Sequence, residues 1–347
     1  MNEAAINVSV VIPAYNAAAT LGRAVGSVLG QTEQNLQVLI IDDASTDDTA
    51  EIAAGLAARD HRVALLRRTV NGGPAAARNL GLAQARGRWI ALLDADDAFV
   101  PHRLTHLMGL GEQQEADLVC DNLLLCSAQG SDSGEPMIHP RRLPNPKWMS
   151  AAEFVTGNIG SRYRPRVSYG FMKPLMRRAF LQRHDLRYDE NNRFGEDFLF
   201  SLACLLCGAR WWLTPRPLYR YTVRPGTLTD VQSAADLLRI RRREEDLLRR
   251  HWMVARDPAL ATALQRHKRI IEHFYYYRAF TDALKAKALV PAMNLLLESP
   301  RGFRHIVTES ALQAPRVALK ALRGGFRQSR SMTAAVAAGA SDGGTRG

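Results

Sequence analysis

The chain has few cysteines and no zinc-binding pattern. Only four cysteines occur among its 347 residues, which is too few for a disulfide framework in a chain of this length. Cys204 and Cys207 lie among apolar neighbours, and a free cysteine in that setting is ordinarily a core residue. No group of histidines and cysteines has the spacing of zinc ligands. The sequence therefore points away from disulfide-rich and zinc-dependent classes of protein.

Long apolar segments are absent as well. No run reaches the roughly 18 apolar residues of a membrane-spanning helix, and no secretory signal is recognisable before the first predicted strand. We therefore expect a cytoplasmic protein. The net charge is +12, which makes nucleic acid one conceivable partner. Basic segments interleaved with aromatic residues are missing, however, and we expect no nucleic-acid binding.

Two glycine-rich nucleotide loops are also missing. The sequence contains no Gly-x-x-x-x-Gly-Lys-Ser/Thr loop, and no Gly-x-Gly-x-x-Gly follows the first predicted strand. Backbone amides of the first loop hold the phosphates of NTPases, and those of the second hold a dinucleotide. The sequence therefore argues against a P-loop NTPase and against a dinucleotide-dependent dehydrogenase.

Three carboxylates follow an apolar run in the first third of the chain. Residues 89–93 predict a buried strand, and Asp94, Asp96 and Asp97 come directly after it. Carboxylates this close repel one another unless a cation balances them, and their oxygens suit Mg²⁺ or Mn²⁺. Aspartate is also common in turns and helix caps, so these residues alone leave an ordinary turn as the alternative.

Strands and helices alternate before this point. Strands are predicted at 8–12, 36–41 and 63–66, and helices at 20–29, 49–58 and 75–85. Such alternation forms a parallel sheet whose ligands bind at the carboxyl ends of the strands. The polar residues that fall at this edge are Tyr15, Asn16, Asp42, Asp43, Asp94 and Asp96. Of these, Asp42 is better explained as a turn or helix cap than as a ligand.

Four segments in this order resemble the successive signatures of family-two glycosyltransferases. They are VIPAYN at 11–16, DDASTD at 42–47, NGG at 71–73 with ARNLG at 77–81, and LDADD at 93–97. The resemblance extends over about residues 6–225. It implies an inverting enzyme that uses a nucleotide-activated sugar. The implied fold class is α/β: a GT-A fold with a Rossmann-like mixed, mainly parallel sheet flanked by helices, followed here by a C-terminal helical extension.

The resemblance also implies a donor site. Tyr15 offers a face on which a base can stack, worth about 1–3 kcal/mol by analogy with nucleic-acid recognition. Asp43 would accept the uracil N–H, Arg78 would reach the base or the diphosphate, and Asp94 would face the ribose or donor sugar. Asp96 matches the metal ligand, for Mn²⁺ or Mg²⁺. The full predicted nucleotide-sugar set is Pro13, Tyr15, Asn16, Asp43, Gly73, Arg78, Asp94, Asp96 and Arg224.

An acidic pair supplies the candidate general base. Glu196 and Asp197 precede an apolar helix predicted at 198–206, where the positive helix terminus favours anions in any protein. In the family that this chain resembles, the second acid of such a pair is the catalytic base. We therefore predict Asp197 as the base and Glu196 as a group that positions the acceptor or the backbone. Many members carry a histidine after this helix, and here Arg224 stands near that point. An arginine cannot ligate a metal but can pair with a diphosphate.

The remaining chain is predicted to be helical and basic. Helices are expected at 235–252, 260–284, 286–297 and 316–326. The predicted organisation is a catalytic domain at 1–226, a helical region at 227–330 and a disordered tail at 331–347. The basic amphipathic segment 317–323 suits an anionic inner membrane surface, although a solvated helix face explains it equally well.

The sequence therefore predicts a non-processive glycosyltransferase. It would move a sugar from a UDP-sugar to a saccharide acceptor, most readily a polyprenyl-linked one, in bacterial exopolysaccharide or cell-surface polysaccharide synthesis. The Gln-x-x-Arg-Trp signature of processive synthases is absent. The alternative is a nucleotidyltransferase of a related α/β fold, which also holds a metal through aspartates but normally carries a glycine-rich basic loop after its first strand.

Overall fold

The computed structural model describes residues 5–127, 132–159, 169–192, 194–223, 233–250, 256–298, 302–304 and 306–308. Contacts divide the chain into two units, residues 1–270 and 271–347.

The first unit is built on a ten-stranded mixed sheet. Its strands are β1 Val8–Ala14, β2 Leu36–Asp42, β3 Val63–Arg67, β4 Trp89–Leu92, β5 Ala98–Phe99, β6 Leu118–Cys126, β7 Asp132–Pro136, β8 Lys147–Trp148, β9 Leu175–Arg177 and β10 Trp211–Thr222. Its first seven helices are α1 Ala18–Leu29, α2 Thr49–Arg59, α3 Gly73–Gln84, α4 Arg103–Gln113, α5 Ala151–Gly157, α6 Arg178–Arg183 and α7 Glu196–Leu206. A 3₁₀ turn, Tyr169–Phe171, precedes β9.

The sheet has a parallel half and a mixed half. The main strand order is β3-β2-β1-β4-β9-β6-β10-β5, with β7 on β6 and β8 on β10. The first four strands of this order are parallel, and β9 lies antiparallel between β4 and β6. The predicted α/β class with a mixed sheet flanked by helices is thereby confirmed. The antiparallel strands lie outside the regular strand–helix alternation that the sequence displays.

Close packing between helix and sheet explains two glycines. A Cβ on Gly81 of α3 would lie 2.2 Å from Cγ1 of Val11 in β1, and one on Gly111 of α4 would lie 2.6 Å from the Trp89 ring. Val11 and Trp89 are buried in the core. Only glycine lets the two helices approach the sheet so closely.

Two long helices follow the sheet. Helix α8 is Ala234–Arg250 and α9 is Pro258–Lys285. Leu237 and Ile240 of α8 are buried, and Ile240 packs beside Gly195 at the start of α7, where a Cβ would be 2.9 Å from it. Buried Glu244 of α8 and His267 of α9 lie 2.9 Å apart. The compact unit that holds α7 therefore includes α8 and the first half of α9.

The second unit contains the end of α9 and helix α10, Leu289–Glu298. The predicted helix at 316–326 and the predicted disordered tail at 331–347 lie outside the described residues. Among the described helices, none combines the length and apolar character needed to cross a bilayer.

Candidate active site

The loop after β1 lies beside the loop after β2. Tyr15 is 51% exposed, so its ring is open to a ligand, while Pro13 is half-buried in β1. Asn16 has a positive φ of 48°, which asparagine tolerates better than most residues. Its amide oxygen accepts hydrogen bonds from the backbone N–H of Thr46, at 2.9 Å, and from the Thr46 hydroxyl. Asn16 thus fixes the first loop to the second.

The two aspartates after β2 hold loops. Buried Asp42 accepts a hydrogen bond from the Ser45 N–H at 3.3 Å, in agreement with the predicted turn role. Buried Asp43 accepts from the N–H of Gly73 at 2.7 Å and of Gly72 at 3.1 Å. It is also paired with Arg68. The carboxylate of Asp43 therefore fixes the backbone turn at Gly73, whose φ is +82°, and this is a contact the sequence did not reveal.

The three aspartates after β4 are in different environments. Asp97 is buried and accepts hydrogen bonds from the Tyr219 hydroxyl at 2.8 Å and from the Thr222 N–H at 2.7 Å. Burial and the negative charges of Asp94 and Asp96 raise the pKa of Asp97 well above its ordinary value. Asp97 therefore ties the loop to β10. The backbone carbonyl of Asp96 accepts from the Arg23 guanidinium and the Thr222 hydroxyl, both at 2.6 Å.

Asp94 and the acidic pair meet in one cluster of charges. Arg78 of α3 is 3% exposed. Its guanidinium lies 2.9 Å from Asp94, 2.7 Å from Glu196 and 3.2 Å from Asp197. Lys173 lies 2.9 Å from Asp94 and 2.6 Å from Asp197. The structure thus brings together four residues that the sequence singled out, and it adds a second buried cation.

Burial and neighbouring charges shift the pKa values of this cluster in different directions. Burial alone would raise the pKa of Asp94, but Lys173 and Arg78 more than offset that effect and hold the pKa well below its ordinary value. Burial likewise works to lower the pKa of Lys173, yet the charges of Asp197 and Asp94 leave it raised. Burial and the charge of Asp197 raise the pKa of Glu196.

Two residues of this cluster were missed from the sequence. Lys173 lies just before β9, and because β9 runs antiparallel to β4, its leading end reaches the edge of the sheet at which β4 ends. The Tyr188 hydroxyl donates to Asp197 at 3.1 Å, and its ring stacks on Phe200 of α7 with centroids 4.2 Å apart. Neither residue belongs to a periodic pattern, so no sequence signal marks them.

Arg78 faces the acidic residues, and its guanidinium also lies 5.4 Å from the centre of the Tyr188 ring. Arg224, the remaining predicted donor-site residue, lies outside the described residues. Helix α7 begins at Glu196, two residues before its predicted start, so the acidic pair forms its first turn. Gly195 precedes it with φ of +72°.

The sequence predicts one metal ligand among the aspartates after β4. Within the described part of the chain, no group of three histidine, cysteine, aspartate or glutamate side chains could hold a metal ion. Asp97 accepts hydrogen bonds from Tyr219 and Thr222. Asp94 forms ion pairs with Arg78 and Lys173. Asp96 is the residue for which the sequence predicts metal binding. A single protein carboxylate fits Mg²⁺ or Mn²⁺ bound mainly by diphosphate and water.

Comparison with known proteins agrees with this geometry. Residues 9–186 match the family model described as "Glycosyl transferase family 2". The succinoglycan biosynthesis protein ExoO of Rhizobium meliloti (strain 1021) is 33% identical over 92% of this chain and 90% of its own length. ExoU of the same organism is 36% identical over 87% of this chain and 86% of its own length.

A solved structure shows the same fold. The crystal structure of S. aureus TarS 1-349 in complex with UDP-GlcNAc superposes with a TM-score of 0.61 at 18% identity, covering 83% of this chain and 90% of that one. This likeness supports the predicted GT-A fold. The family match and the relatives decide between the two predicted enzyme classes, against the nucleotidyltransferase. The chain belongs to glycosyl transferase family 2.

Proposed function

We propose that this glycosyltransferase transfers a sugar, with inversion, from a UDP-sugar to a lipid-linked saccharide during exopolysaccharide or cell-surface polysaccharide synthesis. Two relatives are named as succinoglycan biosynthesis proteins, which supports the pathway class. The fold relative TarS was solved with UDP-GlcNAc and with UDP, which supports a uridine donor. The absence of the processive signature from the sequence favours the addition of one sugar per encounter.

One observation carries the reaction type. Asp94, at the end of β4, and Asp197, in the first turn of α7, are both bound by Arg78 and Lys173. A carboxylate assigned to the donor side and the candidate base therefore share the same two cations. This arrangement suits a direct displacement, in which alignment of the two reactants supplies much of the rate.

In the proposed reaction, an acceptor hydroxyl attacks the anomeric carbon of the donor. The hydroxyl proton passes to the carboxylate of Asp197, and a new C–O bond forms on the face opposite the leaving group. The bond between the anomeric carbon and the diphosphate oxygen breaks, and its electron pair leaves with UDP. Glu196, held by Arg78 at 2.7 Å, positions the acceptor or the neighbouring backbone.

The donor base is assigned to the loops after β1 and β2. Exposed Tyr15 would stack on uracil, and Asp43 would accept the uracil N–H through the lone pairs that Arg68, Gly72 and Gly73 leave. Asn16 and Pro13 shape the loop, and Arg224 is proposed near the diphosphate. Asp96 would hold Mn²⁺ or Mg²⁺, which when bound supplies positive charge to the leaving diphosphate.

A donor panel tests this proposal. Purified full-length protein is mixed with UDP-, GDP- and dTDP-sugars, with and without Mn²⁺, and binding is followed by calorimetry. We expect UDP-sugars to bind more tightly than the others and to require the metal. Tighter binding of a GDP- or dTDP-sugar would contradict the base assignment, and equal binding without a metal would contradict the assignment of Asp96.

A membrane-bound acceptor requires a surface that reaches the bilayer, and we assign this to α10. Leu289, Val290, Met293 and Leu297 are each more than half exposed, up to 77% for Leu297. At helical spacing they occupy one arc of about 100°. Four apolar side chains on one face exceed what a solvated helix normally exposes. Each would gain about 1.5–3 kcal/mol on full burial.

Charge decides which partner covers this face. Exposed Lys285 and Lys287 precede α10 and exposed Arg304 follows it. An anionic bilayer complements these charges, and each basic residue at its surface adds about 1 kcal/mol. A second copy of a chain with net charge +12 would bring like charge to the contact. We therefore propose that α10 lies on the inner face of the cytoplasmic membrane and makes the enzyme peripheral.

Co-sedimentation with vesicles tests the surface. Vesicles rich in phosphatidylglycerol should bind the full-length protein, and vesicles of phosphatidylcholine alone should bind it weakly. L289S/V290S/L297S should lose most of the binding. V70S is the matched control, because Val70 and Val290 are both 71% exposed and Val70 lies on the first unit. Retained vesicle binding by the triple variant would contradict the assignment. A dimer of the wild type and of V70S that is lost in the triple variant would also contradict it.

A further inference from the structure

Lys173 and Arg78 bind the same two carboxylates from opposite sides. Arg78 contacts Oδ1 of Asp94 and Oδ1 of Asp197, whereas Lys173 contacts Oδ2 of each. The two cations and two carboxylates therefore close a ring. Both oxygens of Asp197 therefore have a partner, and the Tyr188 hydroxyl donates a further hydrogen bond to Oδ1. The ring fixes the orientation of Asp197 relative to Asp94.

Lys173 is itself held in place by a buried ion pair. Arg103 donates to the backbone carbonyl of Lys173 at 2.6 Å. Arg103 also binds Asp121 through two nitrogens, and both side chains are fully buried. The Arg103 guanidinium lies 4.4 Å from the centre of the Phe99 ring. The backbone of Lys173 is thus anchored to the core of the sheet, although no regular element contains this residue.

The charge balance explains why a cation is needed at this position. Asp94, Glu196 and Asp197 bring three negative charges to one buried cluster, and Arg78 supplies one positive charge. Without Lys173 the cluster would carry two uncompensated negative charges, and buried carboxylates in that state repel one another and move apart. An ammonium on a flexible stem can also change its hydrogen-bond partner more readily than a guanidinium fixed in a fork.

We propose that Lys173 is a positioning residue of the transfer reaction. It holds the carboxylate of Asp197 in one orientation by tying it to Asp94, so that donor and base are aligned when the acceptor arrives. When the acceptor hydroxyl reaches Oδ2 of Asp197, Lys173 keeps its bond to Asp94. This inference rests on the proposed function of Asp197 as base.

Steady-state kinetics with K173M, K173R and K147M test the inference. The donor is the UDP-sugar that the wild type uses, and the readout is UDP release in the presence of an alkyl glycoside acceptor. Lys147 is the matched control, since it pairs with Glu153 of α5 and has no contact with the cluster. K173M should lower kcat about 10- to 100-fold, as expected of a reacting group displaced by about an ångström. The KM for the donor should change about threefold at most.

K173R separates positioning from loss of folding. It keeps the positive charge and should melt at the wild-type temperature, with kcat between those of K173M and the wild type. K147M should keep the wild-type kcat. Should K173M fail to fold, K173R decides: a lower kcat at an unchanged melting temperature supports the inference, and a wild-type kcat contradicts it. A wild type inactive with every UDP-sugar would instead contradict the proposed function.

Discussion

Asn79 exchanges two hydrogen bonds with the backbone of Tyr188, a residue 109 positions further along the chain. Its amide nitrogen donates to the Tyr188 carbonyl at 2.9 Å, and its amide oxygen accepts from the Tyr188 N–H at 2.8 Å. The Tyr188 hydroxyl in turn donates to Asp197. Three residues of the ARNLG segment therefore support this site. Arg78 binds the acidic residues and Asn79 fixes the backbone of Tyr188. Gly81 lets helix α3 approach the sheet.

N79A should therefore affect both stability and turnover. Losing the paired hydrogen bonds should lower the free energy of unfolding by about 1–3 kcal/mol, measured by urea denaturation, and should lower kcat because Tyr188 no longer fixes Asp197. N191A is the control, since exposed Asn191 bonds only its neighbour Asp189 in the described chain. A variant N79A as stable and active as the wild type would contradict this role.

D96A tests the metal assignment. The predicted ligand lies at the end of β4, while Asp97 beside it is used by Tyr219 and Thr222. Calorimetry should show that D96A loses the Mn²⁺-dependent part of UDP binding and keeps its circular dichroism spectrum. D185A is the control, because the Asp185 side chain is 80% exposed and pairs with Arg187. UDP affinity in Mn²⁺ that is unaffected by D96A would remove Asp96 from the metal site.

Y15A tests the stacking surface. Tyr15 is half exposed, so its removal should leave the melting temperature unchanged. Loss of a stacked base costs about 1–3 kcal/mol, which corresponds to a roughly 5- to 150-fold weaker UDP affinity. Inorganic diphosphate has no base and should bind Y15A and the wild type equally. Equal UDP affinity of the two proteins would place uracil elsewhere.

The sequence and the structure agree best where residues follow a period. The strands and helices of the first 92 residues lie within a few residues of their predicted ends, because buried strands and amphipathic helices are marked by regular apolar spacing. The polar residues at the carboxyl edge of the sheet could be predicted from the topology, since parallel strands end on one side of the sheet. Asp42 as a turn residue also agrees with the structure.

The remaining site depends on contacts between distant segments. Lys173 and Tyr188 lie in short irregular segments whose position is set by β9 and by Asn79, and neither has a local pattern to reveal it. The buried ion pair of Arg103 and Asp121 joins α4 to β6. From the sequence alone, charged residues such as these are predicted to lie at the surface. Tertiary packing, rather than local propensity, places all of them.

A44G tests a strained position in the loop after β2. Ala44 has φ of +60°, a region in which a Cβ costs about 1–2 kcal/mol. Glycine removes that cost but adds about 0.5–1 kcal/mol of chain entropy on folding. A44G should therefore leave stability unchanged or raise it by up to about 1.5 kcal/mol. A54G, at an exposed position of helix α2, is the control and should destabilise by about 0.5–1 kcal/mol. Equal losses in both variants would contradict strain at Ala44.

In the proposed reaction Asp197 accepts the proton of the acceptor hydroxyl, and D197N removes this base. Asparagine keeps the shape of the side chain but cannot act as a base. We expect kcat for transfer to fall by about 10²- to 10⁴-fold, with the dissociation constant for UDP in Mn²⁺ changed only a few fold and E196Q less impaired. Near-wild-type turnover by folded D197N would contradict the account, and an inactive E196Q beside it would move the base to Glu196.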